Sequence, residues 1–234
     1  MYEPARYPSN AVSGAPAEAG HAAFFRKVYA FMALGLGATA VTALLVASSE
    51  EAIRFIVLNR PVFYGLIIGQ LLMVMAFSSL APRISAVAAG ALFFTYAIMN
   101  GLTLSVIFLI YTSASIATTF FVCAGTFGAM SLFGYATKRD LTGVGNFAIM
   151  GLFGLIIASV VNLFLQSPMI YWLTTFMGVI VFVGLTAYDT QKIKQLDVGD
   201  SEANHKGAIN GALILYLDFI NLFLFLLRIF GRRK

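Results

Sequence analysis

Long runs without charged residues decide what this chain can fold into. Residues 84–137 contain no Asp, Glu, Lys or Arg over 54 positions, and residues 141–188 contain none over 48. A soluble domain carries about a quarter charged residues, whereas a helix that crosses a membrane needs about 20 consecutive apolar residues. Each run is long enough for two crossings. The chain is therefore predicted to be an integral membrane protein.

Charged and polar residues divide the chain into seven spans. Charged residues bound two further runs near the N-terminus, and the polar clusters at 112–115 and 166–168 divide the two long runs. Barrel strands alternate apolar and polar residues over about ten positions, a pattern that these runs lack. The sequence thus predicts an all-α membrane protein, a seven-transmembrane helical bundle, with approximate spans at 28–49, 61–82, 84–111, 115–137, 143–165, 169–190 and 207–228.

The segment before the first span is rich in Pro, Ala, Gly and Ser. It contains no apolar run followed by a cleavage site, which argues against a secretory signal peptide. We therefore assign residues 1–23 to a disordered cytoplasmic tail and residues 24–234 to one seven-span membrane domain.

Composition agrees with a protein whose main partner is the lipid bilayer. Hydrophobic residues make up 60% of the chain, charged residues 11%, and the mean hydropathy is +0.88. The net charge of +5 is explained by basic loops that face anionic lipid, so no nucleic acid partner is expected. The single cysteine, Cys123, lies in an apolar run, which excludes a disulfide framework and a thiol metal cluster. We expect no cofactor.

Lysine and arginine positions predict the orientation. The N-terminal tail and the even-numbered loops contain nine of these residues, and the loops on the other side contain only Arg54 and Arg60. Because basic residues are enriched in cytoplasmic loops, the N-terminus is expected to be cytoplasmic. Arg228 and the basic residues at 232–234 follow the seventh span. They would face the other side unless the last segment re-enters the membrane.

Two acidic residues lie within or at the edge of spans. An ionisable side chain there costs about 2.5–3.5 kcal/mol on insertion scales and is functional by default. Asp218 follows Gly207 by eleven residues, which places it about 16 Å along a helix, near the middle of the bilayer. Asp189 closes the sixth run; it would pair with Lys192 if it only marks the membrane edge, or with Asp218 if the sixth helix continues to Lys194.

Two carboxyls in contact share a proton because both cannot ionise cheaply. Such a pair is a proton sensor, and its doubly ionised form provides hard oxygen ligands for a divalent cation such as Ca²⁺. We therefore predict Asp189 and Asp218 as a pH sensor on a cation pathway and as transient Ca²⁺ ligands. Neutral residues in the spans are candidates to support the pair or to link helices: Gln70, Asn100, Asn162 and Asn221.

Enzyme motifs are missing from the spans. No span contains a lysine for a retinal Schiff base, and the sequence has no HExxH, CxxC or P-loop. The one stretch similar to GxSxG lies in the tail, at 11–15. Two membrane aspartates are also the catalytic groups of intramembrane aspartyl proteases, so the chemistry alone does not exclude this class. However, neither aspartate here lies in the Gly-rich motif of such a protease. We expect a protein that is not an enzyme.

Two segments near the C-terminus resemble the Bax inhibitor-1 family, the transmembrane Bax inhibitor motif proteins with many bacterial members. They are YDTQKIK at 188–194 and LYLDFINLF at 215–223, followed by Leu227-Arg228; NGLTLS at 100–105 is also similar to the family pattern. The resemblance extends from about Phe24 to Arg228 with the same seven-span layout.

The resemblance implies a bundle around a central sixth helix and a calcium leak channel that responds to pH, with Asp189 and Asp218 as its sensor. It also implies an arginine latch after the second helix, for which Arg83 is the candidate, and it aligns Gln70 with an acidic residue that some members carry. The predicted function is therefore a pH-sensitive, calcium-permeable leak channel, monomeric and in a bacterial inner membrane. The alternatives are a regulator of a stress, cell-death or membrane-protease pathway that acts by binding a protein, and a proton-coupled transporter.

Overall fold

The computed structural model describes residues 14–80, 83–196 and 202–234, and within these ranges seven helices are long and apolar enough to cross a membrane. The order is α1 (Gly14–Ala47), α2 (Glu50–Ile56), α3 (Arg60–Leu80), α4 (Ala86–Leu104), α5 (Val106–Ile110), α6 (Ser113–Ala136), α7 (Thr142–Leu165), α8 (Pro168–Ile193) and α9 (Glu202–Phe230). The helix α4 and the short helix α5 together form the third span. Each predicted span coincides with one of the seven, so the all-α membrane fold is confirmed.

The first helix begins earlier than the sequence predicted. Helix α1 starts at Gly14, so residues 14–23, assigned above to a disordered tail, are helical, while residues 1–13 lie outside the described ranges. The local sequence explains the difference: Pro16 falls in the first turn, where proline is tolerated, and alanine, the best helix former, follows it. The buried Phe24, Phe25 and Val28 then hold this helix against the bundle.

The loop between the first two spans is also helical. Ser49 caps α2 by accepting a hydrogen bond from the amide of Ala52, at 3.2 Å. Acidic residues occupy its first turn and Arg54 its last, an order that suits the helix dipole. This short helix connects α1 to α3, which packs mainly on α4 and exposes most of its surface.

The centre of the bundle is the seventh span, α9, and not the sixth as the resemblance implied. Helix α9 packs against α1, α4, α6 and α8. Its large apolar residues are buried or half-buried, except Phe230 at its end, which is exposed. Helix α8 instead exposes one face, which includes Leu173, Phe176 and Ile180. Both helices are apolar all round, so hydropathy alone does not distinguish a central helix from one that contacts lipid on one side.

The C-terminal residues lie at the end of the bundle opposite the start of α9. Helix α9 is unbroken from Glu202 to Phe230, so it contains no turn of the kind that a re-entrant segment requires. Beyond it, the amide of Thr112 donates to the carbonyl of Arg232, and the amide of Lys234 donates to that of Ile110, both at 2.9 Å. These bonds attach the C-terminal segment to the turn between α5 and α6.

Candidate functional site

Helices α8 and α9 form an antiparallel pair whose register is set by glycines. Gly211 lies against Ile193, where an added Cβ would be 3.2 Å from the nearest side-chain atom, and Gly207 lies against the carbonyl of Leu196. Because these small residues let the helices approach closely, the last turns of α8 lie beside the first half of α9. The sixth span, α8, continues past Asp189 as predicted for a helix that reaches Lys194. Its α-helix ends at Ile193, and a 3-10 turn, Lys194–Leu196, follows.

This register brings the two membrane aspartates together. The carboxyl groups of Asp189 and Asp218 face each other, close enough for a hydrogen bond when one of them is protonated. Asp218 is 4% exposed, in the middle of the central helix, and Asp189 is half-buried. Oδ2 of Asp218 is fully buried and accepts no hydrogen bond from a donor group in the described part of the chain. A contact between two carboxyls supplies a hydrogen bond only when one of them carries a proton.

Lys192 is close to Asp189 but does not neutralise it directly. Its ammonium group donates to the hydroxyl of Tyr188 at 2.8 Å and lies 5.1 Å from the centre of that ring. The interaction with Asp189 is through space, and the ion pairs within the described ranges do not include it. The Tyr188 ring in turn packs on Gly145. The geometry therefore differs from the simple edge pair that the sequence left open.

A chain of hydroxyl groups leads toward the pair from the side of α1. The hydroxyls of Tyr29 and Ser131 are hydrogen-bonded, and Ser131 Oγ lies 2.9 Å from Thr190 Oγ1. Thr190 follows Asp189 in α8, and it is fully buried. Tyr29 and Ser131 also line a cavity of about 480 Å³ between α1 and α6. These hydroxyls link three helices at the level of the aspartates.

A second buried polar cluster holds α9 to α1 and α4; the sequence analysis named its Asn100 as a possible helix link but not its Tyr216 or Thr39. The Tyr216 hydroxyl accepts from Asn100 Nδ2 at 2.8 Å and lies 2.7 Å from Thr39 Oγ1. All three residues are buried. Tyrosine and threonine are common in membrane helices, so neither residue stood out; the one pattern that could have pointed to Tyr216 is its position two residues before Asp218.

The other predicted site residues lie away from the aspartate contact. Gln70 donates to the carbonyl of Met99 and to Thr103, which links α3 to α4, and Asn221 donates to the carbonyl of Leu217 in its own helix. Arg83 is exposed in the turn before α4, and it makes no ion pair within the described ranges. Gln70 therefore links two helices, and Asn221 bonds within its own helix. Arg83 forms no ion pair in the described part of the chain that could act as a latch.

A metal ion would find few ligands at the pair. Within the described ranges, no third His, Cys, Asp or Glu joins two others in a group able to hold a metal. Ca²⁺ prefers six to eight oxygen ligands. Two carboxyls alone supply fewer oxygen ligands than this ion prefers.

Comparison with known proteins places this arrangement in a family. Residues 21–234 match the family model described as "Inhibitor of apoptosis-promoting Bax1". The chain is 51% identical over 220 residues to the inner membrane protein YbhL of Escherichia coli, which covers 92% of this chain and 94% of that protein. It is also 46% identical over 215 residues to a protein of Rickettsia prowazekii, with 90% of each chain covered. A protein of Borreliella burgdorferi is 44% identical over 214 residues, covering 90% of this chain and 92% of the relative.

Proposed function

Because the chain belongs to the Bax inhibitor-1 family of membrane proteins, we propose that it is a pH-sensitive, calcium-permeable leak channel gated by Asp189 and Asp218. The close approach of these two carboxyls inside the bundle carries the proposal. The relative from Escherichia coli is named an inner membrane protein, which supports the same location here. We propose that the N-terminus faces the cytoplasm, on the strength of the basic loops.

The gate works through the proton that the two carboxyls share. With the proton present, the hydrogen bond joins α8 to α9 and the pair carries at most one negative charge. Without it, two unit charges about 4 Å apart repel by about 4 kcal/mol at an effective dielectric constant of about 20. That repulsion exceeds the net value of a typical hydrogen bond, about 0.5–1.5 kcal/mol. Deprotonation therefore separates the ends of α8 and α9, and calcium flux increases as the pH rises.

The same pair serves the permeant ion once it is open. Two ionised carboxylates attract Ca²⁺ to a constriction inside an apolar bundle, and hard oxygen atoms suit this ion. Because the described residues offer no further acidic side chain there, the ion is released again. The pair lies within one chain, so a monomer is sufficient for the proposed channel.

Calcium entry into liposomes that contain only the purified protein tests the proposal. Flux is followed with a trapped calcium dye from about pH 5 to about pH 9, a range in which perturbed carboxyls titrate. Asp218→Asn is expected to remove the pH response and leave flux low, because its amide donates to Asp189 without a titrating proton. Asp189→Asn is expected to do the same. The double variant should add little to either single one, since the two carboxyls form one unit.

Asp140→Asn provides the matched control. Asp140 lies in the loop before α7, where hydrogen bonds from the hydroxyl and the amide of Thr142 hold the pKa of its carboxyl below the ordinary value. It therefore stays charged throughout the tested range, and its variant should keep the wild-type flux curve.

Four results would contradict the proposal. An unchanged pH midpoint in Asp189→Asn would exclude the two-carboxyl sensor, and flux that falls as the pH rises would reverse the gate. Saturable exchange of calcium for protons would indicate the proton-coupled transporter. No flux at any pH would favour the regulator that acts by binding a protein.

A further inference from the structure

A cavity at the C-terminal end of α9 has the chemistry of an anion site. It occupies about 650 Å³ between the turn that joins α7 to α8 and the end of α9. Two arginines, Arg228 and Arg233, line it, and none of the described residues around it is acidic. Polar and aromatic groups complete the lining, among them Asn162, Ser167, Tyr171 and Trp172.

Arg228, in the last turn of α9, is positioned for binding. The guanidinium group of Arg228 lies 5.6 Å from the centre of the Tyr171 ring and 5.0 Å from that of Phe225. Stacking on aromatic rings orients the planar donor fork and leaves its N–H groups available. The ion pairs in the described part of the chain occur elsewhere, as in Arg54 with Glu50. Within the described ranges, neither Arg228 nor Arg233 forms an ion pair with a carboxylate.

The charge at this end of the bundle is otherwise hard to explain. Arg228 lies in the last turn of α9, and Arg232, Arg233 and Lys234 follow that helix, on the side opposite the basic loops. Basic residues on that side oppose the usual bias of membrane proteins. A bound anion offsets this unfavourable placement.

The surroundings of the cavity indicate where the anion comes from. The end of α7 and the start of α8 expose Phe164, Met169 and Leu173 beside it, a surface suited to acyl chains. Trp172 is 45% exposed, and tryptophan is enriched at the level of lipid headgroups. Arginine forks match the geometry of phosphate oxygens.

We propose that this arginine cavity binds a phosphate group at the membrane surface, supplied by an anionic phospholipid headgroup or by free phosphate. The apolar flank favours the phospholipid. The site is remote from the aspartate pair and does not depend on the channel function.

Trp172 provides a direct probe, because it is the one tryptophan of the chain and it lines the cavity. The intact protein is placed in bilayers of phosphatidylcholine with increasing amounts of brominated phosphatidylglycerol, whose bromine atoms quench tryptophan on contact. Brominated phosphatidylcholine serves as the comparison lipid. Stronger quenching by the anionic lipid at equal mole fraction is expected. In a second arm, sodium phosphate is titrated into phosphatidylcholine bilayers at constant ionic strength.

Single substitutions distinguish a built site from diffuse attraction. Arg228→Gln and Arg233→Gln are each expected to weaken the preference for the anionic lipid about tenfold or more, because each removes hydrogen bonds to a charged phosphate group. Arg232→Gln removes the same charge from the same segment but not from this cavity, and it should weaken the preference no more than about fivefold, the contribution of one basic residue near a membrane surface. Arg233 lies beyond the last helix, so its variant tests the site even if Arg228→Gln fails to fold.

The outcomes separate the sources and the alternatives. A change in Trp172 emission with phosphate, without a lipid preference, supports the site with free phosphate as its ligand. Equal quenching by both lipids together with no response to phosphate overturns the proposal. An equal loss in Arg232→Gln and Arg233→Gln also overturns it, because the attraction would then be diffuse.

Discussion

Removing the Tyr216 hydroxyl tests whether the buried polar cluster stabilises the bundle. In Tyr216→Phe, the ring contacts with Phe93 and Tyr96 remain, at centroid distances of 5.7 and 5.9 Å. The hydroxyl takes with it the acceptor of Asn100 Nδ2 and the contact with Thr39 Oγ1. The change therefore affects polar contacts and leaves the packing in place.

The structure limits the cost to one orphaned donor. The Thr39 hydroxyl is also within hydrogen-bond distance of the carbonyls of Ala97 and Gly35, at 2.8 and 3.0 Å, so it keeps an acceptor. The buried Asn100 amide loses the acceptor that Tyr216 provided. An unsatisfied buried donor costs about 1–3 kcal/mol, whereas interhelical hydrogen bonds in membranes average about 0.6 kcal/mol and reach about 1.7 kcal/mol. We expect a loss of about 1–2 kcal/mol of unfolding free energy.

Steric trapping in lipid bicelles measures this unfolding free energy. Tyr96→Phe is the matched control: it removes a hydroxyl from a neighbouring buried tyrosine, and the hydrogen bonds of the described residues do not include that hydroxyl. It should cost under about 0.5 kcal/mol. In an Asn100→Ala background, Tyr216→Phe should cost less than in the wild type, because the orphaned donor is gone. Equal costs for the two tyrosine variants would refute the reasoning.

Two further substitutions test helix packing around the aspartates. Gly134→Ala should lower the unfolding free energy by about 1–3 kcal/mol, because its methyl group would overlap the carbonyl oxygen of Ala187 in α8; Gly128→Ala, which meets open space, should not. Ser131→Ala should cost about 0.5–1.5 kcal/mol for each lost hydrogen bond, those to Tyr29 and Thr190. Thr126→Ala, whose hydroxyl donates to Val122 in its own helix, should change little. The same bicelle measurement checks both pairs, and equal losses within a pair would contradict the assignment.

The sequence was sufficient for the spans because charged side chains are costly in lipid. That cost leaves long uncharged runs, and it makes Asp189 and Asp218 conspicuous within them. Their contact was also predictable, since the short connection between the last two helices makes them antiparallel neighbours. The sequence therefore identified the residues that are rare in membrane spans.

The features that the sequence did not reveal depend on residues that are common in membrane spans and on backbone bonds. Hydropathy averages over all faces of a helix, so it did not identify α9 as the central element. Tyr216 and Thr39 cost little in a span, and only the fold reveals that their hydroxyls meet. The pairing of the C-terminal segment with the turn at Thr112 depends on backbone bonds, which no side-chain pattern encodes.

The position of the two polar contacts on α9 determines which helices move in the proposed gate. Asp218 and Tyr216 are two residues apart, about 200° around a helix, so they attach α9 to opposite neighbours. Tyr216 joins α9 to α1 and α4 through groups that do not titrate near neutral pH, whereas Asp218 joins it to α8 through a shared proton. Raising the pH should therefore displace α8 and leave α9 with α1 and α4. Spin labels at the ends of these helices report this by electron paramagnetic resonance: the distance from α8 to α9 should change with pH and that from α4 to α9 should not. A change confined to the α4–α9 distance would place the moving boundary on the wrong side of α9.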